Sequence, residues 1–545
     1  MSGWHFATVW ETVADAVPDA PALAQGDRVR SWTQFDHRAD AVASWLRSLA
    51  PRGQDRVAQY LHNAPEYLET VFATYKVGLV PVNTNYRYGV DELAYLWGNA
   101  EPIAVVVHGS FVALAEALRP RVPFVRGWLF VDDGTAPCPS WATPYEAVAG
   151  ESVARQRAPW GRDGDQLCLL YTGGTTGLPK GVMWRHDDLV ALMPRTGSFT
   201  FGDGPDYQSL AQSIREPGQR TIAACPLMHG TGLLTSQAVL AQGGSVTLLE
   251  SRRFDEYEFL DTVAARRLEA AIIVGDAFAR PILAALDAAP GRWDLSSLRV
   301  IGSSGAMWSE PVKRGLLAHH PAMLLVDAFG SSEALQLGAS LAGGSSATAT
   351  ATFSLGERAT VITDDGRPVA PGSGEVGLVA MSGRIPVGYF RDEAKTTATF
   401  RTLGGRRYAV PGDLATLEAD GTITLLGRGS ACINTGGEKV YAEEVEESLK
   451  THDDVVDAVV VGLPDDRWGE VVSALVELRV GATCAASELT EHVKSQLAGY
   501  KAPRRLFVVE SIGRSPNGKI DYRRSRELAL ELAGADAAGE VTTAT

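Results

Sequence analysis

Four glycines, three threonines and one lysine fall within the twelve residues Leu170-Tyr171-Thr172-Gly173-Gly174-Thr175-Thr176-Gly177-Leu178-Pro179-Lys180-Gly181. This composition suits a loop that holds an anion. Glycine carries no Cβ, so successive backbone N–H groups can turn toward an oxyanion and approach it closely. The hydroxyls of Thr172, Thr175 and Thr176 can donate to phosphate oxygens, and Lys180 adds a mobile positive charge. The spacing does not fit Gly-x-x-x-x-Gly-Lys-Ser/Thr, which excludes a Walker A loop. A plain surface turn would not need so many donors. A loop of this kind must be fed by a rigid element, and the apolar run at residues 167–170 predicts a buried strand in that place.

Further candidates follow in chain order. Ala328-Phe329-Gly330-Ser331-Ser332-Glu333 sets an aromatic ring and two hydroxyls before a carboxylate. Val410-Pro411-Gly412-Asp413 ends on an acid in a turn-like dipeptide. Gly427-Arg428-Gly429-Ser430-Ala431-Cys432-Ile433-Asn434-Thr435-Gly436-Gly437-Glu438-Lys439-Val440-Tyr441 is a glycine-punctuated stretch, and Ser515-Pro516-Asn517-Gly518-Lys519 is a turn carrying a lysine. Alone, Glu333 would read as a solvated acid and Lys519 as a turn residue. Together, across most of the chain and in this order, the set resembles the acyl-adenylate-forming enzymes: acyl-CoA synthetases, luciferases and peptide-synthetase adenylation domains.

That resemblance assigns expected roles. Thr172, Gly173, Gly174, Thr175, Thr176, Gly177 and Lys180 form the phosphate loop. Phe329 stacks on adenine, and Gly305, Gly330, Ser331 and Ser332 complete the adenylate site, with a hydroxyl on the α-phosphate. Glu333 holds Mg²⁺, an ion that prefers oxygen ligands and often combines one or two carboxylates with substrate phosphates. Asp413 accepts from both ribose hydroxyls, a task suited to a two-oxygen acceptor, and Arg428 contacts ribose or phosphate. Ser430 is the hinge. Gly436, Gly437 and Glu438 line the path of CoA, and Lys519 is the adenylation lysine. Thr172, His229, Glu333 and Lys519 are the expected catalytic set; ATP, Mg²⁺ and CoA are the implied cofactor and co-substrates. Several letters depart from the family's commonest ones: Phe329 for Tyr, Ser332 for Thr, Ser304-Gly305-Ala306-Met307 for Gly-Gly-Ala-Pro, Ser430 for Asp or Lys, and Ala442 for Pro. None removes an expected phosphate, magnesium or ribose contact.

The acid to be activated is read from weaker signals. Pro226-Leu227-Met228-His229-Gly230-Thr231-Gly232 resembles the family segment beside the substrate carboxylate, so His229, Gly230, Ser304 and Gly305 are expected at the acyl pocket. Gly181-Val182-Met183-Trp184-Arg185-His186, Gly275-Asp276-Ala277-Phe278-Ala279-Arg280-Pro281 and residues 433–439 look like bacterial synthetases for steroid side-chain and other bulky acids. No acid placed to await an ammonium is evident. The expected reaction is therefore activation of a bulky hydrophobic acid, steroid- or terpenoid-like, or of a medium- or long-chain fatty acid, followed by transfer to CoA. Two alternatives stand beside it: a partial enzyme that only thioesterifies a supplied acyl-adenylate, and an adenylating enzyme that loads a carrier protein.

The elements that must position these residues are those of an α/β protein. The chain has 545 residues, 45% of them hydrophobic, enough for several domains. Helix-like stretches alternate with short apolar runs at 103–107, 129–131, 298–301 and 455–461, which predicts mainly parallel sheets. The hinge divides a large N-terminal domain of several subdomains, 1–428, from a small, mobile α+β domain, 429–533. Residues 534–545 are expected as a disordered tail, residues 343–352 as a mobile loop, and residues 195–219 as a flap over the acyl pocket or, as the alternative, a surface excursion. A net charge of −15 argues against nucleic acid and anionic membrane as partners, although residues 501–526 form a locally cationic stretch. No run of about 18 apolar residues predicts an integral membrane segment, and Met1-Ser2-Gly3-Trp4-His5 does not begin a secretory signal. Five scattered cysteines fit reduced thiols in a cytoplasm rather than a disulfide or zinc framework. A homodimer is compatible with the sequence.

Overall fold

The computed structural model describes residues 3–174, 177–193, 199–344, 349–428, 432–435, 438–465, 469–497, 499–515 and 520–537. Its strands fall into three sheets. In the first, of eight strands, Val80–Asn83, Arg56–Tyr60, Pro102–His108 and Gly127–Val131 lie parallel in that spatial order. Every residue of Pro102–His108 is buried, as a parallel strand covered on both faces requires. Leu167–Gly174 joins this sheet beside Val80–Asn83 and turns back antiparallel as Gly177–Arg185. The two strands that flank residues 175–176 thus form a hairpin near one side of the sheet, with the short strand Gly388–Tyr389 outside it.

The second sheet has fifteen strands among the described residues and two characters. One half is parallel, in the order Pro21–Gln25, Ser245–Leu248, Arg220–Ala223, Ala270–Ile273, Val300–Ser304, Leu324–Ser331. Successive strands here are joined by helices such as Gly230–Ala241 and Asp276–Ala288. The chain leaves Arg220–Ala223 to build Ser245–Leu248 on one side and returns to build Ala270–Ile273 on the other. That reversal is a topological switch point, and ligands of open α/β sheets bind outside the carboxyl ends of strands there. The other half, from Ala334–Gly343 to Thr422–Arg428, is antiparallel.

Arg428 ends a strand of the second sheet, whereas Cys432–Thr435 opens the third. This five-stranded sheet is built around the long antiparallel pair Val455–Asp465 and Gly469–Leu478 and has its own buried apolar clusters. The helix Ala442–Lys450 packs on it through Val445 and Leu449.

Two expectations need correcting. The last helix runs Tyr522–Ala537, four residues into the expected tail, because buried Ala529 and its neighbours Leu528, Leu532 and Ala533 pack against Val459 and Leu463. Only the end of that tail, 538–545, lies outside the described residues. The expected flap is instead a clamp on the N-terminus. Phe199, Phe201 and Tyr207 meet the Trp4 ring edge-on at 6.1, 5.2 and 5.0 Å, and Trp4 Nε1 donates to Gly202 O. Arg384 holds the segment through Asp203 while also pairing with Asp187 and Asp188. Its aromatic residues are committed to Trp4 rather than to a substrate pocket. Of the expected loop at 343–352, residues 345–348 lie outside the described residues.

Candidate active site

The hairpin register places Thr172 opposite Lys180, so the hydroxyl and the ammonium of the glycine-rich motif share one rung. The base of the hairpin is held by Asn83. This buried amide donates to Tyr171 O at 2.8 Å and to Met228 O at 2.7 Å, and accepts from Tyr171 N at 2.7 Å. Asn63 acts alongside it, donating to Cys225 O and accepting from Leu227 N. Asn83 thus joins the phosphate hairpin of the first sheet to the segment that follows the second-sheet strand Arg220–Ala223, and Asn63 holds that segment at Cys225 and Leu227. The asparagines' only signal in the sequence is a polar residue next to apolar runs, which buried hydrogen bonding explains.

His229 is the N-cap of the helix Gly230–Ala241 and is half-buried at the carboxyl end of Arg220–Ala223, the switch-point strand. Gly230 lies so close to Leu170 that a Cβ there would stand 3.0 Å from Leu170 Cδ2 and 3.9 Å from Ser332 Oγ. Thr231 Oγ1 donates to Ser304 O, and Gly305 has φ +93°, a left-handed backbone that favours glycine. Ser304 pairs in register with Ala328. The strand ends carrying His229, Gly305 and Phe329-Gly330-Ser331 therefore converge at one edge of the second sheet. Phe329 is partly buried against Phe353, with ring centroids 5.4 Å apart, and Ser331 Oγ accepts from Ala334 N to shape the turn that presents Glu333.

Glu333 is the junction between the two sheets. Trp184 Nε1 donates to Ser332 O at 2.8 Å from the hairpin's second strand. Tyr389 O–H donates to Glu333 Oε1 at 2.7 Å, and Lys180 Nζ lies 5.6 Å from the centre of the same tyrosine ring. Tyr389 is held by its own short strand, paired with Val182, and by Phe390 N donating to Gly181 O. Burial, followed by the neighbouring Lys395 ammonium, brings the Lys180 pKa down to about 8, against the opposing pull of Glu333 and Asp392. Neither Tyr389 nor Lys395 stands out in the sequence, because a Gly-Tyr pair and a helix-surface lysine are common.

The remaining candidates are placed separately. Asp413 is buried and forms a register pair with Arg428, which puts the two expected ribose contacts on one rung of the antiparallel half. Thr175, Thr176, Ser430, Gly436, Gly437 and Lys519 lie outside the described residues, as do the side chains of Arg428 and Glu438; Gly173, Gly174 and Gly177 are placed by their backbones alone.

A carboxylate oriented by a tyrosine hydroxyl, with the Lys180 ammonium against the same tyrosine ring, suits a hard cation that takes its other ligands from phosphate and water. The cluster can thus hold a polyphosphate and a divalent ion, next to the strand ends that carry Gly230, Ser304 and Gly305.

Comparison with known proteins gives the same result. The family model described as AMP-binding enzyme matches residues 10–389, and that of the AMP-binding enzyme C-terminal domain matches 444–519. A 3-oxocholest-4-en-26-oate–CoA ligase of Rhodococcus rhodochrous is 39% identical over 538 residues, covering 96% of this chain and 95% of its own. A medium/long-chain-fatty-acid–CoA/3-oxocholest-4-en-26-oate–CoA ligase of Mycobacterium tuberculosis H37Rv is 39% identical over 529 residues, with 96% of each chain covered. The crystal structure of ATP-bound MatB from Rhodopseudomonas palustris superposes with a TM-score of 0.78 at 25% identity, covering 96% of this chain and 99% of that one.

Proposed function

We propose, from the premise that this chain belongs to the AMP-binding enzyme family, that it is an AMP-forming acyl-CoA ligase for a bulky hydrophobic carboxylic acid. The observation that carries this reading is the convergence of Lys180, Tyr389 and Glu333 with His229, Gly230 and Gly305 where two sheets meet. Near-full-length identity to ligases named for a steroid acid and for medium- and long-chain fatty acids supports the substrate class.

A carboxylate is a poor acyl donor because oxide is a poor leaving group. Its oxygen must first attack the α-phosphorus of ATP, forming a mixed anhydride with AMP and expelling pyrophosphate. Lys180 and the hairpin amides orient the triphosphate and offset its charge, which is electrostatic preorganisation of the transition state. Glu333, oriented by Tyr389, would hold Mg²⁺, which supplies charge neutralisation on the phosphates when bound. Phe329 offers a π face to adenine and Asp413 two acceptor oxygens to ribose. His229, at the start of the helix whose Thr231 donates to Ser304 O, would line the carboxylate end of the acyl site. Lys519 bridges carboxylate and α-phosphate, then withdraws as the small domain turns about Ser430 and brings Gly436 and Gly437 to the thiol of CoA.

Among the described residues no helix is long and apolar enough to cross a membrane. Cys138, Cys168, Cys225 and Cys484 are unpaired, which fits a reducing, cytoplasmic setting. The test is product formation from ATP, Mg²⁺, CoA and a panel of steroid, terpenoid, fatty and aryl acids, read by mass spectrometry. Thioesters of steroid or long-chain acids support the reading. Thioesters of aryl acids alone overturn the substrate class, and no thioester from any acid overturns the ligase.

A further inference from the structure

The run Gly275-Asp276-Ala277-Phe278-Ala279-Arg280-Pro281 is a motif that the roles above leave unused. It opens the helix Asp276–Ala288 just after the buried strand Ala270–Ile273, and its first two residues are fastened to the segment 303–309. Gly275 N donates to Ser303 Oγ at 2.8 Å, and Asp276 N donates to Met307 O at 2.9 Å. Asp276 Oδ1 then accepts from Ser309 N at 2.9 Å, so one residue grips the chain on both sides of the buried Trp308. Gly275 has φ +53°, and a Cβ there would stand 2.2 Å from Met307 O, so this close approach requires glycine.

The second carboxylate oxygen is held as well. Arg280, one turn along the same helix, donates from Nε to Asp276 Oδ2 at 3.0 Å, with Nη2 2.9 Å from the same oxygen. From another element, Thr231 Oγ1 donates to Ser304 O, and a Cβ on Gly305 would stand 3.3 Å from that hydroxyl. The turn 304–307 is therefore clasped between the helix that follows His229 and the helix that begins at Asp276. Gly305 is exposed, whereas Trp308 and Ser309 are buried, so Asp276 grips the root of the turn and leaves its tip open.

We propose that Asp276 is a positioning residue of the acyl site: it fixes the turn 304–307 before the acid arrives, and so sets how tightly the acid binds, without touching it. This rests on the ligase reading above, in which Ser304 and Gly305 meet the acid. A turn that has lost the bond at its root must be ordered by the acid itself, and that ordering is charged against binding. The cost is the same in the ground state and the transition state, so KM rises while kcat changes little. General loosening of the fold would act differently, removing active protein and lowering the apparent kcat at an unchanged KM.

The experiment measures thioester formation by full-length wild type, D276A and D276N/R280M, with palmitate and with cholanate, at saturating ATP, Mg²⁺ and CoA. D276A should raise KM for the acid about tenfold, the order that one hydrogen bond to a charged acceptor allows, with kcat held within about twofold. In D276N/R280M the amide Oδ1 can accept from Ser309 N with no guanidinium competing for it, so KM should return to within about threefold of wild type. Hydrogen exchange followed by mass spectrometry gives a readout independent of activity. Amides across 304–309 should exchange about tenfold faster in D276A and close to the wild-type rate in D276N/R280M.

An unchanged KM in D276A, a fall in kcat alone, unchanged exchange across 304–309, or a loss that D276N/R280M does not restore overturns the assignment while leaving the ligase reading intact. Wild-type protein that forms neither thioester contradicts the reading of the substrate, and this assignment with it.

Discussion

Acidification from pH 7.5 to 5 should weaken the large domain through two histidines that the fold keeps neutral. His5 and His186 are fully buried and stacked, with ring centroids 4.1 Å apart and planes 6° from parallel. His5 Nδ1 accepts from Ala7 N and caps the helix Phe6–Ala16, while His186 Nδ1 accepts from Phe6 N. His5 Nε2–H then faces Gln166 Oε1 at 2.9 Å. Burial, with Arg162 next, brings the His5 pKa down to about 3, and burial, with His5 next, holds His186 well below its ordinary value. Because these pKa values are depressed, the unfolded chain binds the protons first. The stability is present above about pH 6.5 and falls as pH drops toward the folded values. Each pH unit below 6.5 costs about 1.4 kcal/mol per histidine, hence about 2 kcal/mol for each at pH 5 and about 4 kcal/mol for the pair. Glu11, brought down to about 2 against its burial by Arg162 and Lys76, loses its contribution only below the ordinary carboxylate range, outside this window.

The assay is urea unfolding at pH 7.5 and pH 5, followed by tryptophan fluorescence. It compares wild type with the double variant H5N/H186N, in which Asn Oδ1 replaces each accepting Nδ1. All tryptophans but Trp468 lie at or before Trp308, so the signal reports the large domain. This matters because Glu446 in the small domain, raised to about 7 by burial, gains stability as pH falls through the same range. His62 and His108, also depressed by burial, remain in both proteins and cancel in the comparison. Wild type should lose about 4 kcal/mol more than the double variant over this interval. Equal losses would mean that His5 and His186 do not carry this pH dependence.

Three further outcomes follow from the same geometry. Lys76 is wholly buried and bonded to Glu11, Asp36 and Asp40 at 3.1, 2.6 and 2.9 Å; K76M leaves buried Asp40 without its ion pair, while Glu11 keeps Arg162 and Asp36 keeps Arg155, and should cost about 3–5 kcal/mol of stability by chemical denaturation. Y389F removes the hydroxyl that orients Glu333 and should raise the Mg²⁺ concentration needed for half-maximal pyrophosphate exchange by about tenfold or more, read in a magnesium titration. If Lys519 serves the first half-reaction alone, as proposed, K519A should slow exchange by about 10²-fold or more while leaving thioester formation from a supplied acyl-adenylate largely intact.

The parts of this account that were legible in the sequence are those where function is written locally. The glycine-rich loop, its strand at Leu167–Gly174 and the segment around Glu333 lie in short, dense motifs. Apolar runs at 103–107 and 455–461 foretold buried strands of the first and third sheets. The contacts that assemble the site were not legible, because they join residues far apart in the chain. Tyr389 reaches Glu333 across 56 positions, Trp184 reaches Ser332 across 148, and Asn83 reaches Met228 across 145. The network around Lys76 was hidden for a different reason. Glu11, Asp36, Asp40 and Lys76 read one by one as solvated charges on amphipathic helices, and only packing turns those faces inward. The aromatic segment at 199–207 was misplaced because its partner, Trp4, lies nearly two hundred positions away, at the start of the chain.

Synthesis of an acyl-adenylate from a bulky hydrophobic acid would show as acid-dependent exchange of labelled pyrophosphate into ATP, without CoA, across the same acid panel. Exchange is expected with steroid or long-chain acids, should require Mg²⁺ and should be lost in E333Q. No exchange with any acid, alongside thioester formation from supplied acyl-adenylates, would contradict adenylate synthesis and leave a chain that performs only the second half of the reaction.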